Sequence, residues 1–410
     1  MQNPFFVRPW ARDRYRIGPL DEYLDSFAES LSKEGYRYST GQFYVHEVGH
    51  FSKWLDQQGI GVRQINGEEI QRYLHTRRKS VRSRLSRPIH LFLLHLQKIG
   101  IIASLEGKVP KKPCDALIDK YEQHLKQDRG ICQETIRHHI RFARQFLCYC
   151  YPGKAMDLSK LSAKNIQKYV LHESQRVSRG SAKLHVCSLR VFFRFLRSRG
   201  HISVDLAGSV PSVPTWRLTS LPMTLSAEQI RKILNTCDRH SPQGLRDRAI
   251  LLLLSRLGLR AIEVLRLTLE DIDWEVGCIS IRSKDGETYR LPLPYDVGQA
   301  LVRYLRDGRP CCSSRCVFVR LVAPISGFAN STTISSVARK AIIHAGIQLP
   351  HLGAHVFRHS CATEMLRYGA SIQEIGQILR HRKAETTAIY AKVDFNQLKL
   401  MIQPWPGGGS

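Results

Sequence analysis

Residues 354–393 read AHVFRHSCATEMLRYGASIQEIGQILRHRKAETTAIYAKV. Apolar residues recur at three- and four-residue spacing through AHVFRHSCATEMLRYG, SIQEIGQILRH and KAETTAIYAKV, which predicts three successive helices. His355 and Arg358, three residues apart, share one helix face. Ser371 and Glu374 form a capping box that opens the second helix, His381 ends it, and Tyr390 follows nine residues later. Upstream, RDRAILLLLSRLG (246–258) is apolar enough to be a buried helix ending at Gly258, after which Arg260 and Glu263 fall three apart. Ser226 and Gln229 give an earlier capping box. The runs CISIR (278–282) and ETYRLPL (287–293), joined by Lys284-Asp285-Gly286, predict a β-hairpin with Lys284 at its tip. Residues 214–394 therefore read as a mainly helical domain with a small antiparallel sheet. Two Arg, two His and one Lys could converge on a phosphate, with a phenol placed to attack it.

The N-terminal half has another character. Leu20–Ile102 reads as four amphipathic helices, and Asp115–Ile202 repeats their order. Phe27 answers to Tyr121, Thr40 to Thr135, Phe51 to Phe146, Trp54 to Tyr149, Tyr73 to Tyr169, and Ile102 to Ile202. The offset creeps from 94 to 100 residues, as expected of a duplicated module with loop-length changes. Pro-rich EGKVPKKP and SVPSVPTWRLTSLP follow the two copies and read as linkers. The expected domains are residues 1–108, 109–213 and 214–394, with a helix and a flexible GGGS tail over 395–410.

The chain has 410 residues, 43% of them apolar and 24% charged, a composition that folds rather than one that stays disordered. Its 62 Lys and Arg against 35 Asp and Glu leave a net charge of +27, an excess that suits a polyanionic partner. Two stretches carry much of it without acidic residues. Thr76–Arg87 contains Arg77, Arg78, Lys79, Arg82, Arg84 and Arg87; Arg176–Arg199 contains Arg176, Arg179, Lys183, Arg190, Arg194 and Arg197. Arg190, Arg194 and Arg197 form a stripe beside Leu189, Phe193 and Leu196, so one face can pack while its neighbour meets phosphates. A single run of this kind is usually a solvated face. Two runs at corresponding places in two repeats favour nucleic acid.

The longest apolar run, Ala249–Leu254, is far short of the roughly 20 residues that cross a bilayer. The first residues lack the apolar core of a secretory signal, and the 11 cysteines are mostly scattered, so a reducing cytoplasm is expected. Cys311, Cys312 and Cys316 cluster without a fourth ligand, so no metal site is assigned. Neither a GxxxxGK[ST] loop nor HExxH occurs, leaving ATP-driven and zincin chemistry without support.

The ordered series GLRxxEVLRL, a basic hairpin turn, HxxRHxxAT, LxH after a capped helix, and TTxIYAK resembles the tyrosine recombinase (phage integrase) family from about Thr224 to Val393. The resemblance implies Arg260, Lys284, His355, Arg358 and His381 as the phosphate-activating set, Glu263 as support, and Tyr390 as nucleophile. Two positions depart from the family: LGH reads LRH, with Arg380 in place of Gly, and TGLR reads LGLR. The resemblance also implies that the second repeat clamps double-stranded DNA at inverted-repeat core sites. A homotetrameric synapse and a role in integrating or excising a mobile element are further implications, with co-encoded recombinases as candidate partners.

Chemistry agrees with that implication. Guanidinium groups and His381 would neutralise charge building on a pentacoordinate phosphorus, so neither metal nor cofactor is required. Tyrosine ionises near pH 10 in water, and a neighbouring base, His355 in the first instance, would take its proton. Lys284 would protonate the departing 5′-oxygen, and the 3′-phosphotyrosine would conserve the bond for resealing without ATP. A type IB topoisomerase uses a similar set but reseals the original strand. A catalytically silent accessory protein would lack a reacting group, and none is missing. Phe395, Leu398, Met401 and Ile402 give residues 395–402 an apolar helical face, which packs either on its own domain or, as the resemblance implies, on a neighbouring subunit.

Overall fold

The computed structural model describes residues 4–5, 17–77, 82–102, 113–152, 156–214, 222–283, 286–381 and 384–393. Arg78, Lys79, Lys284 and the helix expected over 395–402 lie outside them. The chain is mainly helical with a small antiparallel sheet, as the hydrophobic periodicity requires. It forms two compact units, one from residues 106–219 and one combining residues 1–105 with 220–410.

Both repeats are four-helix bundles. The first comprises α1 (Asp21–Lys33), α2 (Tyr38–Gln57), α3 (Gly67–Thr76) and α4 (Arg82–Lys98), and the second α5 (Pro113–Gln127), α6 (Gln133–Cys150), α7 (Ala163–Arg176) and α8 (Arg179–Ser198). A 3₁₀ turn precedes the third helix of each, at Val62–Gln64 and Leu158–Lys160. The aromatic contacts repeat as well. Phe51 meets Tyr73 at 4.9 Å and Phe146 meets Tyr169 at 5.2 Å, while Phe27 crosses Phe92 edge-on at 5.1 Å and Tyr121 crosses Phe192 at 5.0 Å. Such pairs add roughly 0.5–1.5 kcal/mol each beyond area burial, so the repeat lies in the packing as well as in helix order.

The charged faces do not repeat. Along the 100-residue offset, Arg190, Arg194 and Arg197 of α8 correspond to His90, Leu94 and Gln97 of α4. Residues 113–202 hold 17 Lys and Arg against seven Asp and Glu, whereas residues 20–102 hold 12 against nine. The first repeat instead touches the C-terminal part of its own unit, where the Ile325 amide donates to the Glu34 carbonyl at 2.9 Å and Ala323 packs on the repeat's core.

In that C-terminal part, α9 (Ala227–Asn235) opens on a capping box in which Ser226 Oγ accepts from the Gln229 amide at 3.1 Å. The following α10 (Pro242–Arg256) is the central core helix, with Ala249–Leu254 buried all round. Burial on that scale contributes about 1.5–3 kcal/mol per large side chain, which is why this helix shows little amphipathic contrast. Short α11 (Ala261–Arg266) leads to an antiparallel sheet ordered β1 (Ile272–Asp273), β2 (Cys278–Arg282) and β3 (Thr288–Pro292), with Ile279 paired to Leu291. Then come α12 (Tyr295–Arg303), α13 (Thr332–His344), α14 (Ala354–Arg367), α15 (Ile372–Ile378) and α16 (Ala384–Thr387), ending in a 3₁₀ turn over Ala388–Val393.

Candidate active site

Three features place the charged groups. Gly258 adopts φ +57, and a Cβ there would lie 2.6 Å from Leu379 Cδ2, so only glycine fits the turn that delivers Arg260 to the start of α11. On α14, Arg358 is 4% exposed and donates to the Gly258 carbonyl at 2.6 Å and to the Leu379 carbonyl. One guanidinium thereby ties α14 to the turn before Arg260 and to the end of α15. The third feature is Arg380, a non-glycine residue at φ +56, immediately before His381. A left-handed conformation costs an L-residue roughly 1–2 kcal/mol, so surrounding contacts must hold it.

Those contacts run through Glu263. Its carboxylate accepts from the Arg260 amide at 2.8 Å, from Arg260 Nη1 at 2.8 Å and from Arg380 Nη2 at 2.9 Å. Arg260 Nη2 donates in turn to the Arg380 carbonyl at 2.9 Å. Burial raises the Glu263 pKa, but the Arg380 charge and the Arg260 bonds outweigh it and hold the carboxyl below its usual range.

Arg260, Glu263, Arg380 and His381 line an open cleft of about 1000 Å³ whose other wall includes Ser283, Glu287 and Tyr289 of the hairpin. Ser283 and Gly286 flank the hairpin position predicted for Lys284. His381 Nδ1 lies 2.8 Å from Thr387 Oγ1, and its ring is parallel to that of Tyr390 with centroids 6.4 Å apart. Burial, then Arg358, Arg260 and Arg380, depress its pKa to about 4, so an unliganded His381 is neutral at neutral pH.

Tyr390 is 1% exposed. Burial pushes its pKa up to about 12, with Arg358 and Arg260 pulling the other way. Its hydroxyl partner is His359, whose Nδ1 stands 2.9 Å away. His355 lies one turn earlier on α14, with its ring centroid 6.4 Å from that of His359. Burial and the neighbouring Arg358 depress both histidines, which leaves each neutral and able to accept a proton. The structure thus gathers Arg260, Glu263, His355, Arg358, His381 and Tyr390, and adds His359 and Arg380. His359 was visible in HxxRH, one turn from His355 on the same helix face. Arg358 keeps a pKa of about 10 despite burial and remains cationic.

The basic stripe is only partly free. Arg190 donates to the Val210 carbonyl at 3.0 Å and to Ser212 Oγ at 2.9 Å, and Arg197 pairs with Asp205 at 3.0 Å. Arg176 bonds Glu173, Lys183 is exposed but also has a partner, and Arg179 and Arg194 are exposed. In the first run, Arg77 donates to Tyr73 Oη at 2.8 Å, Arg82 to the Arg77 carbonyl at 3.0 Å, and Arg84 lies 4.5 Å over the Phe43 ring. Arg87 is exposed.

The profile of the phage integrase family matches residues 223–397, and that of the phage integrase N-terminal SAM-like domain matches residues 118–200. A Sinorhizobium fredii protein described as an integrase/recombinase, y4rA, is 40% identical over 406 residues, covering 98% of this chain and 99% of the relative. The chain belongs to the phage integrase family. It is a tyrosine recombinase, an enzyme of site-specific DNA recombination. The tyrosine recombinase XerD of Listeria monocytogenes is 28% identical over 291 residues, spanning 69% of this chain and 96% of that protein. In fold, the chain is similar to the XerH site-specific recombinase in its post-cleavage complex (TM-score 0.54, 18% identity, 69% of this chain and 83% of that one). It is also similar to a lambda integrase dimer bound to a core site (TM-score 0.52, 18% identity, 71% and 97%). Among the described residues, no helix is long and apolar enough to cross a membrane.

Proposed function

We propose that this recombinase exchanges strands between two DNA core sites by transesterification through Tyr390. The observation that carries the reading is that Arg260 and His381 line an open cleft, while the Tyr390 hydroxyl bonds His359 and its ring lies parallel to that of His381. In the reaction, Tyr390 Oη forms a bond to the scissile phosphorus as the bond to the 5′-oxygen breaks. The phenolic proton passes to a ring nitrogen of the histidine pair on α14, His359 being the one in contact and His355 the one behind it. Arg260, Arg358 and His381 stabilise the equatorial oxygens, and Lys284 supplies the leaving group's proton. Arg260 acts from the cleft, and Arg358, buried and bonded to two carbonyls, adds anchoring to its charge.

Residues 109–213 form the main DNA clamp through the exposed members of the basic stripe, with Arg77, Arg78, Lys79, Arg82, Arg84 and Arg87 of the first module as secondary phosphate contacts. The sites are inverted repeats, joined in a tetrameric synapse in which the segment after Tyr390 docks on the next subunit. The reaction moves a mobile element, alone or with partner recombinases. Similarity along nearly the whole of a protein described as an integrase/recombinase supports that assignment. Trapping the protein on a library of nicked duplexes and sequencing the covalently held ones should return one inverted-repeat core. Recovery of unrelated sequences would contradict site-specific exchange.

A further inference from the structure

Arg380 occupies a backbone conformation that only glycine adopts freely, yet its side chain is 1% exposed, and so fully sealed. Its guanidinium bonds Glu263 at 2.9 Å and the Ile378 carbonyl at 2.8 Å, and its Nε has no partner among the described residues. Its own carbonyl accepts from Arg260 Nη2 at 2.9 Å. A strained backbone and an incompletely satisfied buried cation are both costly, and here they meet on the residue that touches Arg260 through its carbonyl and reaches it again through Glu263.

We propose that Arg380 is a positioning residue for Arg260, acting through the buried Glu263 carboxylate. Glu263 is shared between two guanidiniums, one sealed and one, Arg260, 32% exposed at the cleft. With Arg380 present the trio carries a net positive charge, and one Glu263 oxygen is pinned from behind. The Arg260 fork is then fixed by Glu263 on one side and the Arg380 carbonyl on the other, with field left over for a phosphate oxygen. Without the Arg380 side chain, a buried carboxylate would face Arg260 alone, cancel its charge, and be held only by the Arg260 amide and side chain.

This rests on Arg260 contacting the scissile phosphate, and the experiment separates the two claims. Single-turnover cleavage of a nicked suicide duplex at saturating protein is measured for Arg380→Gly, Glu263→Gln, the double variant and Arg260→Ala, with duplex affinity and melting temperature recorded for each. Glycine suits φ +56, so Arg380→Gly removes the guanidinium without straining the chain; Arg380→Asn, which also tolerates that region, provides the same removal if the glycine variant does not fold. The expected result is cleavage about tenfold slower for the Arg380 variant at unchanged duplex affinity, the scale expected of a misplaced catalytic group. In the Glu263→Gln background, removing Arg380 should slow cleavage no further, because both act along one path. Wild-type cleavage by the Arg380 variant, or multiplied losses in the double variant, would overturn the proposal. Wild-type cleavage by Arg260→Ala would instead overturn the site reading beneath it.

Discussion

The Tyr390 hydroxyl stands 2.9 Å from His359 Nδ1 on a ring that is 1% exposed, while Arg260 and His381 front the open cleft. Arg260 and His381 face the cleft, whereas Arg358 and the nucleophile are buried. Attack on a phosphate in the cleft therefore requires Tyr390 to leave this seat or the duplex to reach into it. Either movement breaks or redirects the His359 contact, which makes that residue the first test of the proton path.

Replacing His359 with alanine should slow strand cleavage by about two orders of magnitude, the lower range for general-base removal, with duplex affinity retained. His355→Ala, one turn away, provides the comparison. Equal cleavage by His359→Ala and the unaltered protein would remove His359 from the proton path.

Arg358→Lys should destabilise the C-terminal part, because a single ammonium cannot serve carbonyls on both the Gly258 turn and the end of α15. An orphaned buried carbonyl costs about 1–3 kcal/mol, and equilibrium denaturation should show a loss of that order. A lysine variant as stable as the original would mean that the guanidinium bridge does not hold the site together.

The sequence made these helices legible through periodicity, and the capping residues Ser226 and Ser371 marked where two of them begin. Most aromatic positions in the two repeats were legible for the same reason, since Phe27, Phe51 and Tyr73 are buried and so are Tyr121, Phe146 and Tyr169. The Tyr390–His359 contact was not, because 31 residues separate the two and a hydroxyl has several histidines to choose from. Nor was the Glu263–Arg380 bond, which spans 117 residues and depends on a left-handed backbone that an arginine does not announce. Net charge showed a basic chain but not which arginines were already taken; Arg190 and Arg197 have partners within their own unit.

Folding stability should fall on acidification through the His381 window. The imidazole is neutral in the fold down to about pH 4, whereas in the unfolded chain it protonates near pH 6.5. Between those values the unfolded state binds more protons, so stability is complete above pH 6.5 and drops as the pH falls toward 4. The contribution is roughly 1–3 kcal/mol for this partly buried group, and His381→Gln should flatten the profile of melting temperature against pH. An unchanged profile would show that His381 is not held neutral by its surroundings.

Salt dependence should separate the exposed cations from those already engaged. Arg194→Gln should lower the slope of log affinity against log salt by about one unit, as expected for one lost phosphate contact. His90→Gln, at the corresponding angle of α4, should leave the slope unchanged. If neither variant changed the slope, Arg194 would be a solvated residue and the clamp would lie elsewhere.

The central claim is that Tyr390 becomes covalently joined to DNA. Denaturing electrophoresis of the protein with a nicked suicide duplex, followed by peptide mapping of the slow-migrating species, measures this directly. The account requires a 3′-phosphotyrosine on Tyr390 that persists in EDTA and is abolished by Tyr390→Phe while duplex binding survives. An adduct on any other residue, or one still formed by the phenylalanine variant, would contradict it.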